Sequence, residues 1–270
     1  MKITFLGGGN MANALIGGML KQGFVAADIH VIDPGAEARA KLNEAYAVNC
    51  YASAADAPAE PDVLLLAVKP QQMKDAVDPL VGRLGNADVV SIAAGLDMAA
   101  LSRWLGGHRK IVRCMPNTPA LIGAGITGLC ALPEVSASER DAAERVLRAV
   151  GTTVWIANEA QMDGVTALSG SGPAYVFLFI EAMQQAAADL GFTPEQSRQL
   201  AIETVQGAAA LAAQSSEPAS VLRERVTSKG GTTEAALNTM ADMGVKAGIV
   251  AGVKAAQARG QELGKLLGAG

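Results

Sequence analysis

The stretch ITFLGGGNMANALIGGML, residues 3–20, runs from a short apolar strand through three glycines into an amphipathic helical pattern. Gly7, Gly9 and Ala12 stand at G-x-G-x-x-A spacing. Glycine at position 7 permits a tight turn after the strand, and glycine at 9 lets the amides and dipole of the next helix reach a pyrophosphate. Asn10 and Met11 open that helix and join the candidate contact set. A glycine trio also serves ordinary turns, but here strand, turn, helix and a second strand, DIHVID at 28–33, follow in the order of a dinucleotide-binding βαβ unit. Asp33 ends the second strand, where an acid would recognise a ribose; Asp-Pro-Gly is equally a turn sequence. The choice between NAD and NADP stays open, because an acid repels a 2′-phosphate while Arg39 or a loop amide would accommodate one.

Outward from this unit the alternation continues. Helical AEARAKLNEAYA (36–47) is followed by DVLLLAV (62–68), then PQQMKDAVDPLVGRL (70–84), DVVSIAA (88–94), MAALSRWLG (98–106) and KIVRCM (110–115). Strands alternating with helices predict a parallel sheet covered on both faces. Two further strand candidates, 126–131 and 152–156, flank a helix near 138–149 and would extend the sheet at its edge. From about residue 161 the pattern turns helical throughout, over 162–190, 194–214, 218–227, 231–242 and 244–265. Thr193 reads as an N-cap with Pro194 at the first helical position. We place a boundary at 158, giving a dinucleotide-binding domain over 1–158 and a helical domain over 159–270. That helical half is apolar nearly all round and rich in small residues, among them Gly207, Gly244, Gly248 and Gly252. It forms either a compact monomeric core or, as the scarcity of polar face favours, a subunit interface.

At the carboxyl edge of the sheet, Ala67, Val68 and Lys69 would line the nucleotide crevice, with Pro70 stopping the strand. Lys69 is a cofactor contact or a solvated strand end. Ala93, Ala94 and Gly95 offer small residues where a flat nicotinamide approaches the backbone. Composition narrows the partners: 26 acidic against 22 basic residues in 270 give no electrostatic footprint for nucleic acid or an anionic membrane. A small-molecule substrate is the expectation. Cys50, Cys114 and Cys130 are scattered and odd in number, so neither a disulfide framework nor a metal site is expected, and a reducing cytoplasm fits. The apolar run before the first glycines is too short for a secretory signal. AYVFLFI (174–180) falls short of the roughly 20 apolar residues a membrane helix needs. Tyr175, Phe177, Phe179 and Met183 read as helix core, and His30 and His108 as surface histidines.

The segment VTSKGGTTEAAL (226–237) contains no histidine, cysteine or aspartate. By composition alone, Thr232 and Thr233 cap a helix beginning near Glu234. Five ordered stretches alter that reading: FLGGGNMA (5–12), AVKPQ (67–71), RCMPNTPALIGAG (113–125), TALSGSGPAYVFLFIEAM (166–183) and TSKGGTTEAA (227–236). Together they closely resemble the pyrroline-5-carboxylate reductases over essentially the whole chain. The resemblance implies a Rossmann-type α/β N-terminal domain with a mostly parallel sheet, followed by an all-α C-terminal dimerisation domain that intertwines between subunits. It implies NADPH or NADH as hydride donor, dimers often assembled into rings, and a cyclic imine carboxylate as substrate.

By residue match with the family loop, Gly230, Gly231 and Thr232 present amides to the substrate carboxylate. Thr233 bonds or protonates the imine nitrogen, and Val226 and Ser228 line the pocket. The intertwining implies that the loop completes a site whose nucleotide belongs to the other chain. Asn117, with Thr118, supplies hydrogen bonds near the nicotinamide between Pro116 and Pro119; a proline-stiffened turn is the plainer account of the same motif. Ser171 is a candidate contact in SGSGPAY. The family usually has proline at 229 and an aliphatic residue at 234, where this chain has Lys229 and Glu234. Two rival readings are a β-hydroxyacid dehydrogenase-like oxidoreductase and a non-catalytic nucleotide-sensing protein. The first normally carries a lysine as proton donor, with a nearby asparagine or aspartate as anchor, on the interdomain helix, and 162–190 contains no lysine.

Overall fold

A computed structural model describes residues 1–268; the last two residues of the expected 159–270 domain lie outside the described ones. Eight strands form one sheet: β1 (Ile3–Leu6), β2 (Ile29–Ile32), β3 (Asn49–Tyr51), β4 (Val63–Leu66), β5 (Asp88–Ser91), β6 (Ile111–Met115), β7 (Gly125–Ala131) and β8 (Gly151–Trp155). Their order is β3-β2-β1-β4-β5-β6-β7-β8. The first six in that order run parallel, β7 reverses against β6, and β8 pairs parallel with β7. β1, β2, β4 and β5 bury every residue. That double burial is why they read as continuous apolar runs without alternation. Phe5, Val31, Leu65 and Val90 face one core layer, and Leu6, Ile32, Leu64 and Leu66 face the other.

The helices are α1 (Asn10–Lys21), α2 (Ala36–Tyr46), α3 (Met73–Val77), α4 (Met98–Trp104), α5 (Ala137–Leu147), α6 (Met162–Val165), α7 (Gly172–Asp189), α8 (Pro194–Gln214), α9 (Ala219–Arg225), α10 (Thr232–Asp242) and α11 (Val245–Gly268). Thr193 caps α8 in a reciprocal arrangement with Gln196, and Pro194 takes the first position. Three local differences from the sequence reading have physical causes. The pattern at 70–84 breaks into 3₁₀ turns at Pro70–Gln72 and Asp78–Leu80 around the short α3, because each turn has a proline at its start. The three-residue β3 is too short for periodicity to reveal. The run from 162 is interrupted by a π-helical turn at Thr166–Gly170, and a Cβ on Gly170 would stand 2.8 Å from Met115 Cε.

The chain divides into two compact units: Met1–Ser171 together with the described chain from Ala256 onward, and Gly172–Ala255. Within the second unit α7, α9 and α10 bury no residue, and α8 buries only Ser197 and Ala201. The expectation that the α7 aromatics form helix core is therefore corrected. Phe177 is 64% and Phe179 47% exposed, while Tyr175 and Met183 are half-buried. One chain supplies too few neighbours to cover this helix. By length and composition, the run Glu159–Asp189 would suffice to cross a membrane; counting only 174–180 understated it. His30 is also reassigned, being buried in β2 between β1 and β3, with Nδ1 3.0 Å from the Tyr51 hydroxyl.

Candidate active site

The glycine turn after β1 is built where β1 separates β2 from β4, the point at which successive crossovers turn to opposite sides. Gly7 has φ +103°, and a Cβ on it would lie 2.9 Å from the carbonyl carbon and oxygen of Ala67. Only glycine fits both demands. Gly9 is the N-cap of α1; no side chain caps that end, and its first turn holds no acid. The leading N–H groups, at Asn10, Met11 and Ala12, have no intrahelical acceptor and suit an anion. The space beside Gly9 is open.

Gly8, the residue between the fingerprint glycines, is packed more tightly than sequence reasoning registered. A Cβ there would meet Leu42 Cδ1 at 2.9 Å. Its N–H donates to Asp33 Oδ2 at 2.7 Å, while the Gly35 N–H donates to Asp33 Oδ1 at 2.7 Å. Arg39 Nη1 donates to the Asp33 carbonyl at 2.6 Å. The Asp33 carboxylate thus ties the glycine turn to the turn opening α2, a structural duty that accompanies any role at the ribose.

Ala67 and Val68 are half-buried beside this turn, and Lys69 is exposed at the start of the 3₁₀ turn that Pro70 opens. Ala93 is buried at the end of β5. Gly95 follows with φ +78°, and the tail of α11 packs on it: a Cβ on Gly264 would lie 3.0 Å from the Gly95 carbonyl oxygen. No sequence signal foretold that partner. Asn117 heads the 3₁₀ turn Thr118–Ile122, and its Oδ1 accepts the Ile126 N–H at 3.0 Å. Buried Arg113, also unforeseen, donates from Nη1 to Glu159 Oε1 at 3.0 Å, with Nη2 3.6 Å from Asp163 Oδ1. The same Glu159 oxygen accepts the Met98 N–H at 2.8 Å. This clamp holds β6, the start of α4 and α6 together behind the Met115–Pro116–Asn117 crossing.

At the opposite, amino-terminal end of β5 sits Asp88, 2% exposed and with neither carboxylate oxygen hydrogen-bonded. Burial first, and then the Glu139 charge, push it up to about 7 against the pull of Lys110. The Lys110 hydrogen bond holds Glu139 itself at about 2. This end of the strand lies across the sheet from the glycine turn, which follows the carboxyl end of β1. Among the described residues no group of three histidines, cysteines or acids has the geometry to hold a metal.

In the second unit, Val226 is exposed at the end of α9. The Thr227 hydroxyl donates to the Arg223 carbonyl at 2.6 Å. Ser228 and Lys229 are exposed. Gly230 adopts φ +71°, and its N–H donates to Glu234 Oε2 at 2.7 Å. Gly231 is the N-cap of α10, its N–H donating to the Ser228 carbonyl at 3.0 Å. No side chain caps this helix, so the composition-based account of Thr232 and Thr233 as capping residues does not hold. Both threonines lie inside the first turn. The N–H groups of Thr232, Thr233 and Glu234 lack intrahelical acceptors by position. A groove of about 630 Å³ is lined by Arg223, Thr227, Glu234, Asn238 and Ile249 among others, and so meets this turn at Glu234 and not at Thr232 or Thr233.

Residues 159–263 match the family model described as pyrroline-5-carboxylate reductase dimerisation. Residues 2–95 match that described as NADP oxidoreductase, coenzyme F420-dependent. A pyrroline-5-carboxylate reductase of Pseudomonas aeruginosa is 47% identical over 268 residues, covering 99% of this chain and 98% of its own. The solved pyrroline-5-carboxylate reductase of Coxiella burnetii superposes with a TM-score of 0.91 at 37% identity, covering 97% of this chain and 98% of its own. The structure of Plasmodium falciparum pyrroline carboxylate reductase with NADP bound is similar at a TM-score of 0.87 and 28% identity, over 98% of both chains.

Proposed function

The chain belongs to the pyrroline-5-carboxylate reductase family, and from that premise we propose how its own residues carry the reaction. The activity is the NAD(P)H-dependent reduction of the cyclic imine 1-pyrroline-5-carboxylate to L-proline, the last step of proline biosynthesis. Hydride is added to the imine carbon and a proton to the nitrogen. An imine can be protonated before it binds, so the protein needs no strong acid of its own. Its task is orientation, which supplies a large share of the rate. That α7 carries no lysine suits imine chemistry and not alkoxide chemistry.

The uncapped turn at Gly7, Gly9, Asn10 and Met11 fits a nucleotide pyrophosphate. Ala67, Val68, Lys69 and Pro70 edge the crevice, and Ala93 and Asn117 border the nicotinamide. When bound, the reduced nicotinamide supplies the hydride. In the second unit the α10 amides of Thr232 and Thr233, with the Gly230–Gly231 turn, take the substrate carboxylate. The Thr233 hydroxyl orients the imine nitrogen, and Val226 and Ser228 wall the pocket. The observation that carries this reading is the α10 N-terminus, which no side chain caps. We assign cofactor binding to 1–158 and substrate binding and self-association to 159–270. The unit is a homodimer, open to assembly into a ring, with the apolar helices covered by a second copy and neither membrane nor nucleic acid as partner. Three free thiols fit a cytoplasmic setting.

Purified protein should oxidise NADPH or NADH only when 1-pyrroline-5-carboxylate is present, and inactivity with both cofactors would refute the assignment. Thr233→Ala should lower kcat/KM by about tenfold or more with the cofactor Kd unchanged. An unaltered kcat/KM would remove Thr233 from the mechanism.

A further inference from the structure

Glu234 is the third residue of α10. In a capping box such an acid reaches back to the N–H of the N-cap. Here the N-cap N–H is already engaged, Gly231 donating to the Ser228 carbonyl at 3.0 Å. The carboxylate reaches one residue further, to the Gly230 N–H at 2.7 Å. An anion belonging to the chain therefore sits on the glycine loop, at the positive end of the helix whose first amides have no intrahelical acceptor. A carboxylic acid ligand arriving at Thr232 and Thr233 meets that charge within one helical turn.

We propose that Glu234 sets the affinity of the loop for carboxylate ligands: it locks the Gly230 turn by its hydrogen bond and weakens anion binding by its charge. This rests on the reading of the loop as the substrate site. The two effects are separable by substitution. Glu234→Gln keeps an oxygen acceptor for the Gly230 N–H and removes the charge, whereas Glu234→Ala removes both. Since L-proline carries the same carboxylate as the imine, product and substrate are affected alike, while the cofactor is not.

The test is steady-state kinetics of the full-length protein with 1-pyrroline-5-carboxylate, with L-proline as inhibitor, at low and high salt. Glu234→Gln should lower the KM for the imine and the Ki for proline together, by about three- to tenfold at low salt. The gap from wild type should narrow as salt screens the charge, with kcat and cofactor KM within twofold. Glu234→Ala should additionally lose kcat through the unlocked loop. A Glu234→Gln enzyme whose imine KM is unchanged or raised would overturn the proposal. Thr233→Ala, assayed in parallel, separates the two possible failures. If it loses kcat/KM while Glu234→Gln leaves KM unmoved, the site stands and the role of Glu234 falls. If neither variant changes anything, the loop is not the site and both readings fall.

Discussion

Two aspartates show how differently the same side chain is used. Asp33 spends both oxygens on turn amides, so Asp33→Ala should weaken NADPH and NADH together. The lost bonds are worth about 1–3 kcal/mol, and the change should register in titrations of both nucleotides and in a lowered Tm. A pure ribose reader would instead shift only the ratio of kcat/KM for the two cofactors, the quantity to compare in Asp33→Ser. The Asp88 carboxylate accepts no hydrogen bond among the described residues, and burial pushes it up to about 7 in the folded chain against 3.8 for the ordinary group. A raised folded value means stability that is full below about pH 4 and declines as pH climbs towards 7, by up to ~1.4 kcal/mol per pH unit. Asp88→Asn should escape that decline. Its Tm advantage over wild type should grow from pH 5 to pH 7 and then level off, and a difference independent of pH would contradict the assignment.

Among the elements, those announced by strong periodicity are where the sequence put them. The parallel strands other than β3, with α1, α5 and the capped α8, needed only local chemistry. What stayed illegible was destination. The glycines at 244, 248 and 252 read as a close-packing face, yet a Cβ on any of them would meet nothing within 4 Å in the single chain. The contact instead falls further along α11, at Gly260 beside Asp163 and Gly264 beside Gly95, where no pattern set these glycines apart from the others. Gly8 escaped notice because the fingerprint assigns importance by spacing, whereas its constraint comes from Leu42 and Asp33 in other elements. Likewise a lone arginine in a strand, Arg113, carries no signal until Glu159 and Asp163 are brought beside it. Gly264→Val should push the α11 tail off the Gly95 turn. Because that turn follows Ala93, the variant should raise cofactor KM as well as lower Tm, whereas a tail that serves stability alone would lower only Tm.

Across the whole molecule, the helical unit exposes apolar side chains that a single copy leaves bare, Leu178 at 66% and Phe177 at 64% among them. The match of this region to a dimerisation family makes a second copy the natural cover. Replacing Phe177 and Phe179 by Glu should shift the protein to monomer in light scattering and abolish turnover. The nucleotide turn lies wholly in the first unit, so nucleotide affinity should survive; a dimeric, active double variant would count against that interface. The return of α11 to the first unit also bears on biosynthesis. A nascent chain ordinarily closes its amino-terminal domain while later residues are still being made. Here the β-sheet unit emerges first but lacks the segment that packs on Gly95 until α11 has cleared the ribosome. The first unit therefore completes its packing only after the second has been made, and a translation product cut short before α11 would leave the tunnel with its Gly95 turn uncovered.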